Sequence, residues 1–341
     1  MRKLLIVILG LVVIAGAAAA IYWQRANAVM GAPGPHQQPV ALMVKPGATV
    51  RAALAELETS GALADRRAVE LVLRVRGWPK IKTGHYEIPA QASPREILSQ
   101  LSEGRVVLEM LTVIEGWTFA DMRRAVEAHP QIKATMRGMQ IAEIMTAIGH
   151  AGEHPEGRFF PDTYRFAGGT TDRDLYALVY RKMAETLEAA WSTRVAGLPI
   201  ANAYEALTLA SIVEKETGLA SERPRIAGVF TTRLRRNMRL QTDPTVIYGI
   251  GPSYDGNIRE RDLRADTPYN TYTRAGLPPT PIALPSKGAI DAVTHPLETG
   301  DIFFVATGIG DGSHDFSATL EAHNAAVARY LARLRGARVP R

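Results

Sequence analysis

The spacing of apolar positions changes several times along the chain, and each change predicts a new segment. An uncharged run at Leu4–Tyr22 has about the length that crosses a bilayer. Gln24–Pro39 contains Pro, Gly and Gln without apolar periodicity, which predicts a flexible linker. Short strands and helices then alternate, and longer helical periods begin at Val106. We therefore expect an α+β protein with an anchor, a linker, a small domain and a larger domain, at residues 1–23, 24–39, 40–105 and 106–341.

In the small domain, residues 40–50 predict a strand followed by a turn at Lys45–Gly47. Thr49 is the expected N-cap of the next helix, which ends before Gly61. Further helices are predicted at residues 65–75 and 94–101, with the strand-like segment GHYEIP between them.

The larger domain opens with a strand that ends near Gly116 and a helix capped by Thr118. Asp172 is the expected cap of a long amphipathic helix, and Ser221 is the expected cap of a helix that reaches Arg236. The sequence DIFFVAT, GIGDGS, HDFS predicts a hairpin, and a final helix passes through Tyr330.

One carboxyl group is expected to lie against apolar side chains, where loss of hydration disfavours its ionised form. Ala206–Thr217 reads ALTLASIVEKET and predicts a helix that ends before Gly218. At about 100° per residue, Glu216 projects into the apolar stripe that contains Ile212, whereas Glu214 projects to another side. Lost hydration would raise the pKa of Glu216, which suits a general acid near neutral pH. The sequence also allows a salt-bridged glutamate or a helix buried on all sides.

Several polar side chains follow this helix in loops and near a Pro turn, where they could bind sugar hydroxyls. Each of them taken singly is also a common turn residue. The candidate substrate-binding residues are Gln241, Thr242, Asp243, Tyr248, Asn270 and Tyr272.

The N-terminus predicts the location of the protein. Arg2 and Lys3 should hold the short end in the cytoplasm, with Tyr22 at the far membrane interface. The bulk of the chain would then be exported. A cleaved signal peptide is the competing interpretation, because the small residues at 16–20 offer cleavage sites; the length of the apolar run favours a retained anchor.

Composition excludes several classes of function. The 341 residues carry a net charge of +6 and no cysteine, so disulfides and thiolate chemistry are absent. The arginines accompany no nucleic-acid-binding motif, and we expect no nucleic-acid partner. His314 and His323 lack the spacing of metal ligands, and residues 308–312 lack the lysine and helix of a phosphate loop. We expect neither a metal nor a cofactor, and no Gly-x-Ser-x-Gly elbow is present.

Longer motifs carry a resemblance to a known family. These motifs are KPG at 45–47, EGW at 115–117, FFPDTY at 159–164, ASIVEKETGLASER at 210–223, VF at 229–230, RL at 233–234, MRLQTDPTVIYG at 238–249, TPYNTYTRAGLPP at 267–279 and HP at 295–296. Through them the chain resembles the YceG-like endolytic murein transglycosylases over nearly its whole length, from the anchor onward.

The resemblance implies a single-pass inner-membrane protein with a LysM-like domain, a periplasmic α+β catalytic domain and the membrane as a partner. It implies non-hydrolytic cleavage within nascent peptidoglycan strands to leave 1,6-anhydro-N-acetylmuramic acid ends, with strand termination as a consequence. The family's essential glutamate, the second of the Glu-Lys-Glu triplet, falls on Glu216. Peptidoglycan synthases are the candidate protein partners.

The sequence is also compatible with two other functions. A membrane-tethered glycan-binding scaffold would recruit wall synthases and cleave nothing. A hydrolytic muramidase would need a second carboxylate, for which Glu222 and Asp243 are the candidates.

Overall fold

The computed structural model describes residues 2–45 and 47–337, which form two compact units that mix helices and strands. The small unit comprises the chain up to Met110 together with Arg165–Thr170, and the large unit comprises the remainder. Pro46, at the centre of the turn expected at 45–47, lies outside the described residues, as do the side chains of Arg2 and Lys3. The expected mixture of helices and strands is confirmed.

Helix α1 (Arg2–Val29) contains the apolar N-terminal run. Its segment Leu5–Val29 is long and apolar enough to cross a membrane. The large aliphatic side chains of its first half, such as Leu9 and Ile14, are exposed. The helix therefore fits a single-pass membrane anchor.

The last turns of α1 belong to the small unit, which corrects the expectation of a flexible linker at 24–39. Ala26 and Met30 are buried in the core of this unit, with 2% and 6% of their surface exposed. Farther on, Nε2 of His36 lies 2.7 Å from the carbonyl oxygen of Pro89. Ala26 in the last turns of α1 and Met30 just after its end are four residues apart and both pack into this core, so the apolar helix continues directly into the small unit.

The small unit has the element order strand, helix, helix, strand, helix. These elements are β1 (Val40–Val44), α2 (Val50–Thr59), α3 (Arg66–Arg76), β2 (Gly84–Ile88) and α4 (Pro94–Glu103). Strands β1 and β2 pair antiparallel, with Val44 opposite Gly84 and Val40 opposite Ile88. Thr49 caps α2 as expected, since its side chain accepts from the amide of Ala52 at 3.2 Å.

Two further strands pair into a sheet of their own, β3 (Leu108–Thr112) and β4 (Thr163–Ala167). The division between the units passes through both strands. The strand expected before Gly116 is therefore present, although it ends at Thr112.

The large unit is built mainly from helices. They are α5 (Phe119–Ala128), α6 (Ile141–Ala147), α7 (Asp172–Ser192), α8 (Ala203–Glu216), α9 (Arg223–Arg235), α10 (Asp243–Ile250), α11 (Glu260–Arg264), α12 (Lys287–Thr294) and α13 (Leu320–Ala337). A short 3-10 turn at Gly251–Ser253 follows α10. The hairpin consists of antiparallel strands β5 (Phe303–Ala306) and β6 (His314–Ser317), as predicted.

Helix α8 runs through the core of the large unit, where α7, α9 and α12 contact it. Residues 206–213 are almost completely buried, so the helix is buried on all sides over this stretch, whereas its first and last turns are partly exposed. This burial fixes the position of Glu216, the last residue of α8.

Two predicted helix caps are wrong. Thr171 caps α7, and the carboxylate of Asp172 instead accepts from the amides of Thr135 and Met136 at 2.9 Å. Helix α9 begins after Glu222 rather than Ser221, without a side-chain cap. Helix α7 thus begins one residue earlier than expected, because the Thr171 side chain accepts from the amide of Asp174.

Candidate active site

Glu216 lies at the C-terminal end of α8 and is partly buried. The hydroxyl of Thr242 donates a hydrogen bond to its carboxylate. Burial raises the pKa of Glu216 to about 7, and the negative charge of Asp243 adds to the rise, while the hydrogen bond from Thr242 opposes it. Glu216 is thus poised between its protonated and ionised forms near neutral pH, as a general acid that later acts as a base requires.

The neighbouring Glu214 is also buried, but its charge is compensated. Its carboxylate lies 3.1 Å from the guanidinium of Arg223 and accepts from the amide of Ser286 at 2.9 Å. The two glutamates of the Glu-Lys-Glu triplet therefore have different roles. Glu214 joins α8 to the N-terminal ends of α9 and α12, and Glu216 faces an open cleft.

This cleft has a volume of about 490 Å³. The residues that line it are Glu216, Arg233, Leu240, Gln241, Asp243, Tyr272, Phe303, Phe304, Leu320, His323 and Asn324. They come from the ends of α8 and α9, the loop before α10 and its first residue, the loop between α11 and α12, the hairpin and α13. An elongated ligand with apolar faces and polar edges, such as a sugar chain, matches this mixture of aromatic and polar side chains.

The loop before α10 holds the polar wall of the cleft. Gln241 adopts a left-handed backbone conformation with φ of 51°, which is uncommon for a residue other than glycine. Its amide donates to the carbonyl of Thr271 at 3.2 Å, and the amide of Thr242 donates to the hydroxyl of Thr271 at 3.1 Å. These bonds hold the hydroxyl of Thr242 against Glu216.

Asp243 and Tyr272 form a pair on the same wall. The Tyr272 hydroxyl donates to the Asp243 carboxylate at 2.6 Å. This bond orients Asp243 beside Glu216, where its negative charge favours the protonated form of Glu216.

Arg233 connects the loop to the hairpin from beneath the cleft. Its Nη1 donates to the carbonyl of Leu240 at 2.9 Å, and its Nε donates to the carbonyl of Ile302 at 2.6 Å. Its guanidinium also lies 5.2 Å from the centre of the Phe303 ring. The buried cation thus fixes two walls of the cleft and opposes the rise in the pKa of Glu216.

A family model described as the YceG-like family matches residues 42–329. The chain belongs to the YceG-like family. The match includes Glu216 and every residue that lines the cleft, and it confirms the resemblance recognised in the sequence motifs.

Two similar proteins have names that describe an activity. An endolytic murein transglycosylase of Bacillus subtilis is 27% identical over 309 residues, covering 86% of this chain and 85% of that protein. An endolytic murein transglycosylase of Streptococcus pneumoniae is 27% identical over 327 residues, covering 86% of this chain and 58% of that protein. A crystal structure of a yceG-like protein from Listeria monocytogenes matches with a TM-score of 0.53 at 26% identity, over 85% of this chain and 99% of that chain.

In this YceG-like chain, the cleft brings together some of the expected substrate-binding residues and omits others. Gln241, Asp243 and Tyr272 line it, and Thr242 contacts Glu216. Tyr248 instead donates its hydroxyl to the buried carboxylate of Glu156 at 3.0 Å.

Asn270 is the second expected residue that the cleft omits. It is 0% exposed. Its side-chain amide donates to the carbonyl of Ala265 at 2.7 Å, and its carbonyl accepts from the amide of Tyr272 at 2.9 Å. Its role in this YceG-like chain is to shape the loop that carries Tyr272.

Glu222, a candidate second carboxylate, is held by a histidine. Its oxygens accept from the amide of His314 at 2.9 Å and lie 2.7 Å from Nδ1 of the same residue. It therefore anchors the hairpin to the start of α9. The cleft-lining carboxylates of the described residues are Glu216 and Asp243.

Sequence reasoning missed one whole wall of the cleft. Phe303 and Phe304 from the hairpin, and His323 and Asn324 from α13, lie far from Glu216 along the chain. Their local patterns predict only a strand and a helix. Arg233 was also missed, because no local signal distinguishes it from Arg235, which pairs with Glu298 at the surface.

The described residues include no group of three or more His, Asp or Glu that could hold a metal ion.

Proposed function

We propose that this protein is a membrane-anchored lytic transglycosylase that cleaves peptidoglycan glycan strands internally. The observation that carries the proposal is the position of Glu216, which is partly buried in a polar and aromatic cleft with its pKa raised to about 7. The names of the Bacillus subtilis and Streptococcus pneumoniae relatives support the same substrate and reaction class. The bond cleaved would join N-acetylmuramic acid to N-acetylglucosamine.

In the first step, protonated Glu216 donates its proton to the glycosidic oxygen, and the bond from this oxygen to C1 of N-acetylmuramic acid breaks. The C6 hydroxyl of the same sugar then forms a bond to C1, and its proton passes to the Glu216 carboxylate. The products are an N-acetylglucosamine end and a 1,6-anhydro-N-acetylmuramic acid end. No water is consumed, and Glu216 returns to its protonated form.

The neighbours of Glu216 fit this double role. Thr242 stabilises the carboxylate that exists between the two proton transfers, because its hydroxyl donates to it. The negative charge of Asp243 favours return of the proton to the Glu216 carboxylate. Gln241 and Tyr272 are the groove residues that we propose to hold the sugar at the reacting bond.

The rest of the chain supports a place for this activity at the cell inner membrane. We propose that α1 is a retained anchor with its N-terminus in the cytoplasm, and that both units are periplasmic. The strand–helix–helix–strand order of residues 40–88 supports a LysM-like assignment of the small unit. Acting on nascent strands, the enzyme would terminate their elongation beside the peptidoglycan synthases, which are the partners we propose.

Product analysis tests the proposal. The full chain in detergent is incubated with uncrosslinked glycan strands, and the ends are weighed by mass spectrometry, with Glu216→Gln alongside and Glu298→Gln as a surface control. We expect ends lighter by one water than hydrolysed ends, from the parent chain and the control and not from Glu216→Gln. Hydrated ends would identify a muramidase, and Asp243→Asn would then be tested. Binding without cleavage would identify a scaffold.

A further inference from the structure

One end of the small unit carries a concentration of positively charged side chains. Because β1 and β2 pair with Val44 opposite Gly84, the loop that leaves β1 and the loop that enters β2 lie at the same end of this sheet. We define the basic end as Lys45 with residues 47–51 and 74–83. Its cationic residues are Lys45, Arg51, Arg74, Arg76, Lys80 and Lys82, and these stretches contain no Asp or Glu.

The nearest acid compensates this charge only in part. Glu70, on α3, lies 3.6 Å from Arg51 and 3.9 Å from Arg74. Lys45 and Lys80 are exposed. The opposite ends of α2 and α3 carry charges of both signs, because Glu58 and Asp65 lie there with Arg66 and Arg67, and Arg66 lies 3.0 Å from Glu58. At the basic end, by contrast, cationic side chains outnumber the acids that pair with them.

The basic end also exposes apolar surface. Val75 is 66% exposed and Trp78 is 38% exposed. The guanidinium of Arg51 lies 5.4 Å from the centre of the Trp78 ring. Exposed Trp and aliphatic side chains beside Lys and Arg are the combination that binds the interface of a membrane with anionic lipids.

Helix α1 leaves the small unit toward this end. The carbonyl of Met30 accepts from the amide of Arg95, next to the end of the sheet marked by Ile88. One turn earlier, the side chain of Asn27 accepts from Arg76 of the basic end at 2.9 Å. Followed backward from Met30, α1 thus passes from the Ile88 end toward the basic end and then into the apolar run.

The distance to the membrane is short. At 1.5 Å per residue, Asn27 lies about 7.5 Å along the helix from Tyr22, the expected interface residue. This is about one Debye length at physiological salt. No flexible linker separates them, because Ala26 and Met30 are packed into the core of the unit.

We propose that the basic end rests on the membrane surface and binds the headgroups of anionic phospholipids. The small unit then stands on the bilayer in one orientation, held by α1 and by the lipid contact together. This inference rests on α1 being a retained anchor and is independent of the cleavage chemistry.

The absence of cysteine allows a direct test by site-specific spin labelling of the full chain in nanodiscs. Val75→Cys places a label at the basic end, and Ala64→Cys places one on the exposed turn between α2 and α3 as a matched control. Nanodiscs of zwitterionic lipid are compared with nanodiscs that contain phosphatidylglycerol. The ratio of collisions with oxygen to collisions with a water-soluble nickel complex reports immersion in lipid.

We expect this ratio to rise several-fold at Val75 in the anionic nanodiscs and to stay unchanged at Ala64. Lys45→Gln with Lys80→Gln should reduce the rise, whereas Arg67→Gln with Arg95→Gln, which removes the same charge elsewhere on the unit, should not. Thermal melting of each labelled chain shows that the fold is retained.

An equally water-exposed label at Val75 in both lipids would overturn the proposal, as would failure of the chain to insert into nanodiscs. Protection of Val75 only after addition of glycan strands would also overturn it and would assign this face to glycan. Glycan cleavage, measured in the same samples, reports separately on the proposed function.

Discussion

Glu214 and Glu216 are two residues apart on one helix, yet their surroundings give them different chemistry. Glu214 forms an ion pair with Arg223 and accepts a hydrogen bond from the amide of Ser286. Its carboxylate therefore links α8 to α9 and α12. Glu216 faces the cleft, and burial raises its pKa to about 7. The helical projection selected Glu216 correctly as the residue at the edge of the core. It gave no reason to expect that Glu214 is buried as well.

The raised pKa of Glu216 makes both activity and stability depend on pH. The proposed mechanism needs the protonated form, so we expect kcat to fall as pH rises through about 7. Between the ordinary value of 4.5 and 7, the folded state binds more protons at this site than the unfolded state, so stability falls with rising pH. Glu216→Gln should therefore match the parent chain near pH 4, below both pKa values, and be more stable above pH 7, by on the order of 1–3 kcal/mol.

Chemical denaturation of the two chains at pH 4 and pH 8 checks this expectation. Glu214→Gln, which breaks the pair with Arg223, should lower stability and serves as the contrasting variant. Equal stability of the parent and Glu216→Gln at pH 8 would show that the site does not disfavour the carboxylate.

Arg233 offers a second prediction at this scale. Arg233→Met removes the donors to Leu240 and Ile302 and a cation near Glu216. We expect kcat/KM to fall by roughly 100-fold, since each hydrogen bond from a charged group contributes about 1.5–3 kcal/mol. The pH above which kcat falls should rise, because the cation opposes protonation of Glu216. Arg233→Lys should keep the pH profile closer to that of the parent, and Arg235→Met is the surface control.

At the scale of elements, helix α9 shows how one backbone contact constrains a residue. A Cβ added to Gly228 would lie 2.1 Å from the carbonyl oxygen of Leu297. Gly228→Ala should therefore destabilise the protein by about 2–4 kcal/mol through overpacking, although alanine normally favours a helix by about 1 kcal/mol. Thermal unfolding measures the change. An unchanged or raised Tm would mean that the segment at 295–298 moves aside without cost.

The termini of elements were predictable where local chemistry decides them. Thr49 and Thr118 cap their helices as expected, because each side chain accepts from an amide of the first turn. Asp172 was expected to do the same, but its carboxylate instead accepts hydrogen bonds from the amides of Thr135 and Met136. A partner far away in sequence thus displaced a local interaction.

At the scale of the whole molecule, the continuity of α1 with the small unit leads to a prediction about truncation. A chain that begins at Trp23 keeps Ala26 and Met30 in the core. A chain that begins at Val40 loses them and uncovers apolar surface. We expect the small unit of the shorter chain to melt at least several degrees lower and to aggregate more readily, as hydrogen exchange and thermal unfolding would show. Equal protection of β1 and β2 in both chains would restore the flexible-linker interpretation.

The sequence by itself determined the features that depend on neighbouring residues. These are the apolar anchor, the hairpin, most helices and the family motifs around Glu216, because periodicity, caps and turns act over a few residues. Only the tertiary structure decided which residues share the cleft. Phe303, His323 and Asn324 reach Glu216 through packing of distant segments, while Tyr248 and Asn270 turn inward because buried polar groups elsewhere need their hydrogen bonds.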